Sequence, residues 1–134
     1  MTTWMLLEDE PDLYEMVLAM YEMLGVNGVA FGNGIDTLGW IDDVEHGRYQ
    51  GELPELALLD IRLPDNISGS MVSARLRQSP VLRDMVIVLM TAYRLTPTEE
   101  AEIMAQAGAD YLLNKPLPHI YDLESLLREM VAQR

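Results

Sequence analysis

Cysteine is missing from the 134 residues, which excludes disulfides, thiolate metal sites and thiol nucleophiles. That absence fits a reducing cytoplasm, the location expected for the chain. Positive charge is scarce: nine Lys and Arg stand against 22 Asp and Glu, a formal net charge of -13 at pH 7. A surface of that sign repels a phosphate backbone, so direct nucleic-acid binding by this domain is not expected. A membrane-type hydrophobic run is also lacking. The opening residues Met1-Thr2-Thr3-Trp4-Met5-Leu6-Leu7-Glu8-Asp9 have no basic n-region and meet acid after a few apolar positions, so they read neither as a signal peptide nor as a spanning segment. With no internal repeat, low-complexity tract or interdomain linker, one domain over residues 1–134 is expected, long enough to bury a core without staples.

What is present is organised around Leu56-Ala57-Leu58-Leu59-Asp60. An apolar run of this length, stopped by Ile61-Arg62-Leu63-Pro64, reads as a buried parallel strand that delivers a carboxylate to the rim of a sheet. Four more runs read as strands: 4–7, ending at Glu8-Asp9-Glu10; 26–31, weaker and closed by Gly32-Asn33-Gly34; 85–90, ending at Thr91-Ala92; and 111–113, ending at Asn114-Lys115-Pro116.

Helical patterns fill the intervals. Pro11 suits a first turn, and Leu13, Val17, Met20 and Leu24 form one stripe before Gly25, a common stop. Leu38, Ile41 and Val44 face inward in a second helix that runs to Gly47 and carries Gly39 in its interior. Residues 48–55 read as a loop. Residues 63–69 have turn composition and lead to a helix with Val72 and Leu76 on one face, stopped near Pro80. Thr96-Pro97-Thr98-Glu99 has the form of a capping box, opening a helix that ends at Gly108. Leu123, Leu126, Leu127, Met130 and Val131 mark the inner face of the last helix.

Five strands alternating with five helices imply right-handed crossovers and a parallel sheet covered on both faces. In such a sheet all carboxyl ends share one edge, and ligands bind where the strand order reverses. Glu8, Asp9, Asp60, Thr91 and Lys115 therefore meet there. In the order 2-1-3-4-5 the first and third strand tips lie roughly 5 Å apart. Three carboxylates so gathered raise one another's pKa. Magnesium relieves that conflict, because it takes oxygen ligands and is commonly held by one or two carboxylates plus phosphate oxygens. A hydroxyl at Thr91 and an ammonium at Lys115 suit the remaining oxygens of a transferring phosphoryl group, with Asp60 as the oxygen nucleophile.

The ordered set Glu8-Asp9, Leu58-Leu59-Asp60 with Leu63-Pro64, Met90-Thr91-Ala92 and Lys115-Pro116 resembles the receiver domain of bacterial response regulators over essentially the whole chain. The resemblance implies a flavodoxin-like, doubly wound α/β fold of strand order 2-1-3-4-5 with five helices. It also implies that Asp60 takes a phosphoryl group from a histidine kinase or histidine phosphotransfer protein and that the phosphorylated state alters binding to a downstream protein target. By the same match Glu8, Asp9, Asp60 and the backbone carbonyl of Arg62 hold magnesium, with Asp9 the closer side-chain ligand. Thr91 swings towards the phosphoryl group, Lys115 pairs with it, and the Lys115-Pro116 bond is cis. A homodimer through the fourth and fifth helices follows only by analogy. The resemblance also implies a domain that catalyses its own aspartyl phosphorylation and dephosphorylation but is mainly a signalling switch.

Three features depart from the commonest family pattern. Gly69 arrives one residue late after Leu63-Pro64, so the loop beside Asp60 is expected to be longer by one. Leu112 stands where many receivers carry a switching aromatic, with Tyr111 displaced by one and hence on the opposite face. Arg62 and Tyr93, at the family's variable positions beside the site, are large enough to crowd an attacking water, so a long-lived phosphorylated state is expected.

Plainer readings stand beside these. Asp60 alone reads as a turn or cap residue, Thr91 as a strand residue and Lys115 as a surface charge; each gains its meaning from the set. Glu10 reads as a solvated first-turn acid rather than a ligand. His46 and His119 read as solvated loop residues, the ten methionines mostly as core filling, Tyr14 and Tyr21 as packing residues, and Asp42-Asp43 and Glu99-Glu100 as exposed charge. Among functions, a degenerate receiver that docks a partner without phosphorylation is the alternative to the switch. A flavin carrier needs a glycine- and hydroxyl-rich phosphate loop where Glu8-Asp9-Glu10-Pro11 stands. An aspartyl phosphatase needs a second Asp at the place of Arg62.

Overall fold

All five residues of Leu56–Asp60, strand β3, are buried, because neighbours cover both their edges and helices cover both their faces. The structure is a computed structural model that describes residues 2–63 and 66–134; Pro64 and Asp65, part of the turn expected after Asp60, lie outside the described residues. In chain order the elements are β1 (Thr3–Leu7), α1 (Pro11–Met23), β2 (Asn27–Phe31), α2 (Gly34–Glu45), β3, α3 (Gly69–Gln78), β4 (Val86–Thr91), α4 (Pro97–Ala107), β5 (Tyr111–Asn114) and α5 (Ile120–Ala132). The sheet runs β2-β1-β3-β4-β5 and every pairing is parallel. This is the doubly wound α/β, flavodoxin-like arrangement the sequence led us to expect.

Alternation along each strand divides the core in two. Trp4, Leu6, Leu56, Leu58, Val88 and Met90 face α1 and α5, meeting Val17, Met20, Tyr21, Leu123, Leu127 and Met130. Met5, Leu7, Ala57, Leu59, Ile87 and Leu89 face the other way, onto Trp40, Ile41, Val44, Val72, Leu76 and Ala107 of α2, α3 and α4. The expected stripes hold at their centres, while Leu13, Leu24, Leu126 and Val131 are only partly buried at the margins. Tyr21 is core: its hydroxyl donates to the Met5 carbonyl at 3.2 Å, and burial pushes its pKa up.

Local chemistry ends the helices where the sequence suggested. The capping box at Thr96 and Glu99 is complete, and Gly108 closes α4 with φ 66°, a left-handed conformation that glycine adopts without Cβ strain. Glu10 does more than sit in a first turn: its carboxylate caps α1 by accepting from the amides of Asp12 and Leu13. His46 and His119 are exposed but are helix caps rather than free loop residues. The methionines divide. Met5, Met20, Met85, Met90 and Met130 are buried, whereas Met16, Met23 and Met71 lie on outward helix positions and are exposed.

Candidate functional site

Strand register brings the site together. Leu7 of β1 lies beside Leu59 of β3, so Glu8 and Asp9 emerge next to Asp60. Thr91 ends β4 opposite Asn114 of β5, and the Lys115 amide donates to the Thr91 carbonyl at 2.8 Å, which fixes where the lysine starts. The Lys115-Pro116 peptide is cis, as the resemblance implied.

The Lys115 ammonium reaches back over the strand ends to two acids, with Nζ 2.6 Å from Glu8 Oε1 and 3.2 Å from Asp60 Oδ2. It is the chain's sole lysine, so no other side-chain amine can take its place. Glu8 is 1% exposed and fully engaged, its second oxygen accepting the Glu10 amide at 2.9 Å. Asp60 is 5% exposed; its Oδ1 accepts a 3.4 Å hydrogen bond from the Arg62 amide. Asp9, by contrast, is exposed. Thr91 is buried, with Oγ1 accepting from the Tyr93 amide at 3.0 Å. Arg62 and Tyr93 meet above the strand ends, guanidinium carbon 4.4 Å from the ring centroid. The two large residues expected to crowd an attacking water thus form a cation–π pair.

Burial pushes the Asp60 carboxyl up to about 6, helped by the charge of Glu8 and opposed by Lys115. Burial alone would lower the lysine, but the hydrogen bond to Glu8 and the charges of Asp60 and Glu8 outweigh it and hold its pKa up. Two acids therefore share one cation, and a second positive charge would relieve them. Carboxylate oxygens of Glu8, Asp9 and Asp60 lie within 4.8 Å of one another. This all-oxygen set, without imidazole or thiolate, fits a hard divalent cation. Glu8 is tied to Lys115 while Asp9 is exposed, so Asp9 is the more accessible of the two carboxylates.

Every side chain expected at the site is brought to this edge. The loop that follows β3 returns at its base, where the Gly69 amide donates to the Ile61 carbonyl at 2.9 Å. A Cβ on Gly69 would overlap the Asp60 carbonyl oxygen, so α3 approaches the Asp60 backbone as closely as a glycine allows. Tyr111 packs on the α1 and α5 side, its hydroxyl 3.3 Å from Gln133 Oε1, while Leu112 packs on the α2–α4 side. Sequence reasoning missed two things: the capping carboxylate of Glu10, and Arg94, which lines a cleft that includes Lys115. The acid before Pro11 was a signal for the first; an isolated loop arginine gave none for the second.

Known proteins share this fold. The family model for the response regulator receiver domain matches residues 5–128. A response regulator receiver domain protein (CheY-like) from Methanospirillum hungatei JF-1 is 20% identical, with a TM-score of 0.78 over 99% of this chain and 95% of that one. The receiver domain of sensor histidine kinase PA1611 from Pseudomonas aeruginosa PAO1, solved with a magnesium ion coordinated in the active site cleft, is 24% identical, with a TM-score of 0.77 over 98% of each chain. A putative response regulator from Chloroflexus aurantiacus J-10-fl is 23% identical, with a TM-score of 0.78 over 98% of each chain. These likenesses show the fold. No curated protein matches the sequence. Among the described residues, no helix is long and apolar enough to cross a membrane. A family match over almost the whole length, on a sheet whose carboxyl edge gathers Glu8, Asp9, Asp60, Thr91 and Lys115, places this chain in the response regulator receiver domain family of two-component signalling.

Proposed function

We propose that Asp60 accepts a phosphoryl group from a histidine kinase or histidine phosphotransfer protein and that the modified domain binds a downstream protein target differently. The reading rests on the Lys115 ammonium bridging Glu8 and Asp60 beside the open carboxylate of Asp9. In the transfer, an Asp60 oxygen forms a bond to phosphorus, the bond from phosphorus to the donor imidazole nitrogen breaks, and the imidazole leaves with the electron pair. Lys115 is already beside the attacking carboxylate and offers its charge to the phosphoryl oxygens. Thr91, whose Oγ1 accepts from the Tyr93 amide before transfer, turns its hydroxyl to donate its proton to another phosphoryl oxygen.

Glu8, Asp9, Asp60 and the Arg62 carbonyl would hold magnesium, which when bound balances charge on the carboxylates and on the incoming phosphoryl oxygens. The magnesium in the active site cleft of the PA1611 receiver supports that assignment. Incubation with acetyl phosphate and magnesium, read by intact mass, tests the proposal. One phosphoryl adduct is expected on the wild type and none on Asp60→Asn. No adduct on the wild type, under conditions that label ordinary receivers, would favour a docking module that works without phosphorylation.

A further inference from the structure

Beside the acidic pocket, on the α4 side of the strand ends, lies a cleft of about 250 Å³ lined by Tyr93, Arg94, Glu100, Asn114 and Lys115 among others. Its lining is mainly polar, and it shares Lys115 with the phosphoryl site. Arg94 is exposed and, among the described residues, has no ion pair or hydrogen bond, unlike Arg48, Arg75, Arg77, Arg128 and Arg134, each of which meets an acid. Arg62 is occupied by the Tyr93 ring. A free guanidinium opening onto a cleft that leads to Lys115, on a chain of net charge -13, is placed to take an anion.

Leaving-group chemistry defines which anion. When Asp60 attacks an acyl phosphate, the Asp60 oxygen bonds to phosphorus, the bond from phosphorus to the acyl oxygen breaks, and the pair departs on that oxygen as a carboxylate. Negative charge grows on the leaving group as the bond breaks, and a cation placed there stabilises the transition state more than the ground state. A phosphohistidine releases neutral imidazole, and phosphoramidate, which carries its nitrogen protonated, releases neutral ammonia. Neither develops an anion on the departing group.

We propose that the Arg94 cleft receives the departing carboxylate of small acyl phosphates and makes Arg94 a donor-specificity residue for phosphorylation of Asp60; this rests on the phosphoryl-accepting reading above. Glu100, which lines the same cleft, opposes the same anion. The two side chains therefore act with opposite sign on one donor class and leave the other almost untouched.

The test measures the rate constant for phosphorylation of the full chain with acetyl phosphate and with phosphoramidate, at matched magnesium and ionic strength. Arg94→Gln is expected to slow acetyl phosphate labelling roughly threefold to tenfold, the range for one exposed charge acting on a partly formed anion, with phosphoramidate labelling within about a factor of two. Arg94→Lys retains part of the rate, and Glu100→Gln speeds the acetyl phosphate reaction alone. Equal slowing with both donors would mean that Arg94 supports the site generally, and no change with either would mean that the cleft is a bystander; both overturn the proposal. Labelling of the wild type by neither donor overturns the phosphoryl-accepting reading itself and this inference with it, an outcome distinct from a normal wild type with an indifferent Arg94→Gln.

Discussion

The Arg62 guanidinium lies 4.4 Å from the centroid of the Tyr93 ring, and each partner is tied by its own backbone amide to a residue of the site. The Arg62 amide donates to Asp60 Oδ1 and the Tyr93 amide donates to Thr91 Oγ1. The pair therefore spans the β3 and β4 tips, the place a water must cross to reach a phosphoryl group on Asp60. A hydrolysis half-life of minutes or longer is expected in magnesium buffer. Tyr93→Ala and Arg62→Ala should each shorten it roughly tenfold, equivalent to about 1.4 kcal/mol of barrier, as followed by loss of the phosphoryl adduct in intact mass. A wild-type half-life of seconds, or variants no faster than wild type, would remove the pair from control of hydrolysis.

Gly69 and Asp60 are coupled through the main chain. Because a Cβ at residue 69 would overlap the Asp60 carbonyl oxygen, the first turn of α3 must retreat or β3 must bend to admit it. Forced overpacking of this kind costs about 1–3 kcal/mol, and here the strain falls on the Asp60 backbone. Gly69→Ala is expected to lower the urea midpoint and also to slow acetyl phosphate labelling of the protein that remains folded. A loss of stability with an unchanged labelling rate would show that the displacement is taken up by α3 alone.

Metal-free stability should depend on Asp60 in a defined pH window. Its carboxyl is raised from 3.8 to about 6, first by burial and then by the charge of Glu8, so the folded state binds this proton more tightly than the unfolded chain. The ionised group is a cost to the fold that is fully present above about pH 6 and disappears as pH falls below 3.8. In a chelating buffer Asp60→Asn should therefore be more stable than wild type at pH 7.5, by about 1–3 kcal/mol. The gap should close as pH falls from 6 towards 4. Urea titrations at the two ends of that window decide it, and added magnesium should narrow the gap at pH 7.5 by compensating the wild-type carboxylates.

Much of this was legible from the chain because it depends on local signals that tertiary structure reinforces. The apolar runs that end in Glu8, Asp60, Thr91 and Lys115 state both the strands and the edge on which the acids meet, and Thr96 with Glu99 states a helix start in its own hydrogen bonds. The displacement of Tyr111 relative to Leu112 was legible through the period of two. What escaped the sequence was mutual orientation between loops. Nothing in the spacing of Arg62 and Tyr93 says that they stack, and nothing marks Arg94 as unpaired, since both facts depend on where the β3–α3 and β4–α4 loops lie relative to each other. The capping role of Glu10 was obscured because glutamate is an uncommon N-cap, and Asp or Ser would have announced it.

If Asp60 is phosphorylated as proposed, the displacement of Tyr111 relative to Leu112 bears on how that state is read out. In this fold a residue that follows Thr91 must be bonded to it or packed beside it. Leu112 packs on the α2–α4 face without an aromatic ring to rotate, and Tyr111 faces α5 with its hydroxyl on Gln133. The Tyr93 amide, however, is bonded to Thr91 Oγ1 itself. If Thr91 turns its hydroxyl to a phosphoryl oxygen, that bond is weakened and the Tyr93 backbone, with the Arg62 stack above it, must respond. Backbone amide spectra recorded with and without phosphorylation should therefore show a large shift at Tyr93 and Arg62, while the side-chain resonances of Tyr111 stay in place. Thr91→Ala should abolish the Tyr93 shift even where Asp60 is still modified. A moving Tyr111 ring beside a still Tyr93 amide would instead place the readout on β5, because only a rearrangement against α5 could produce it.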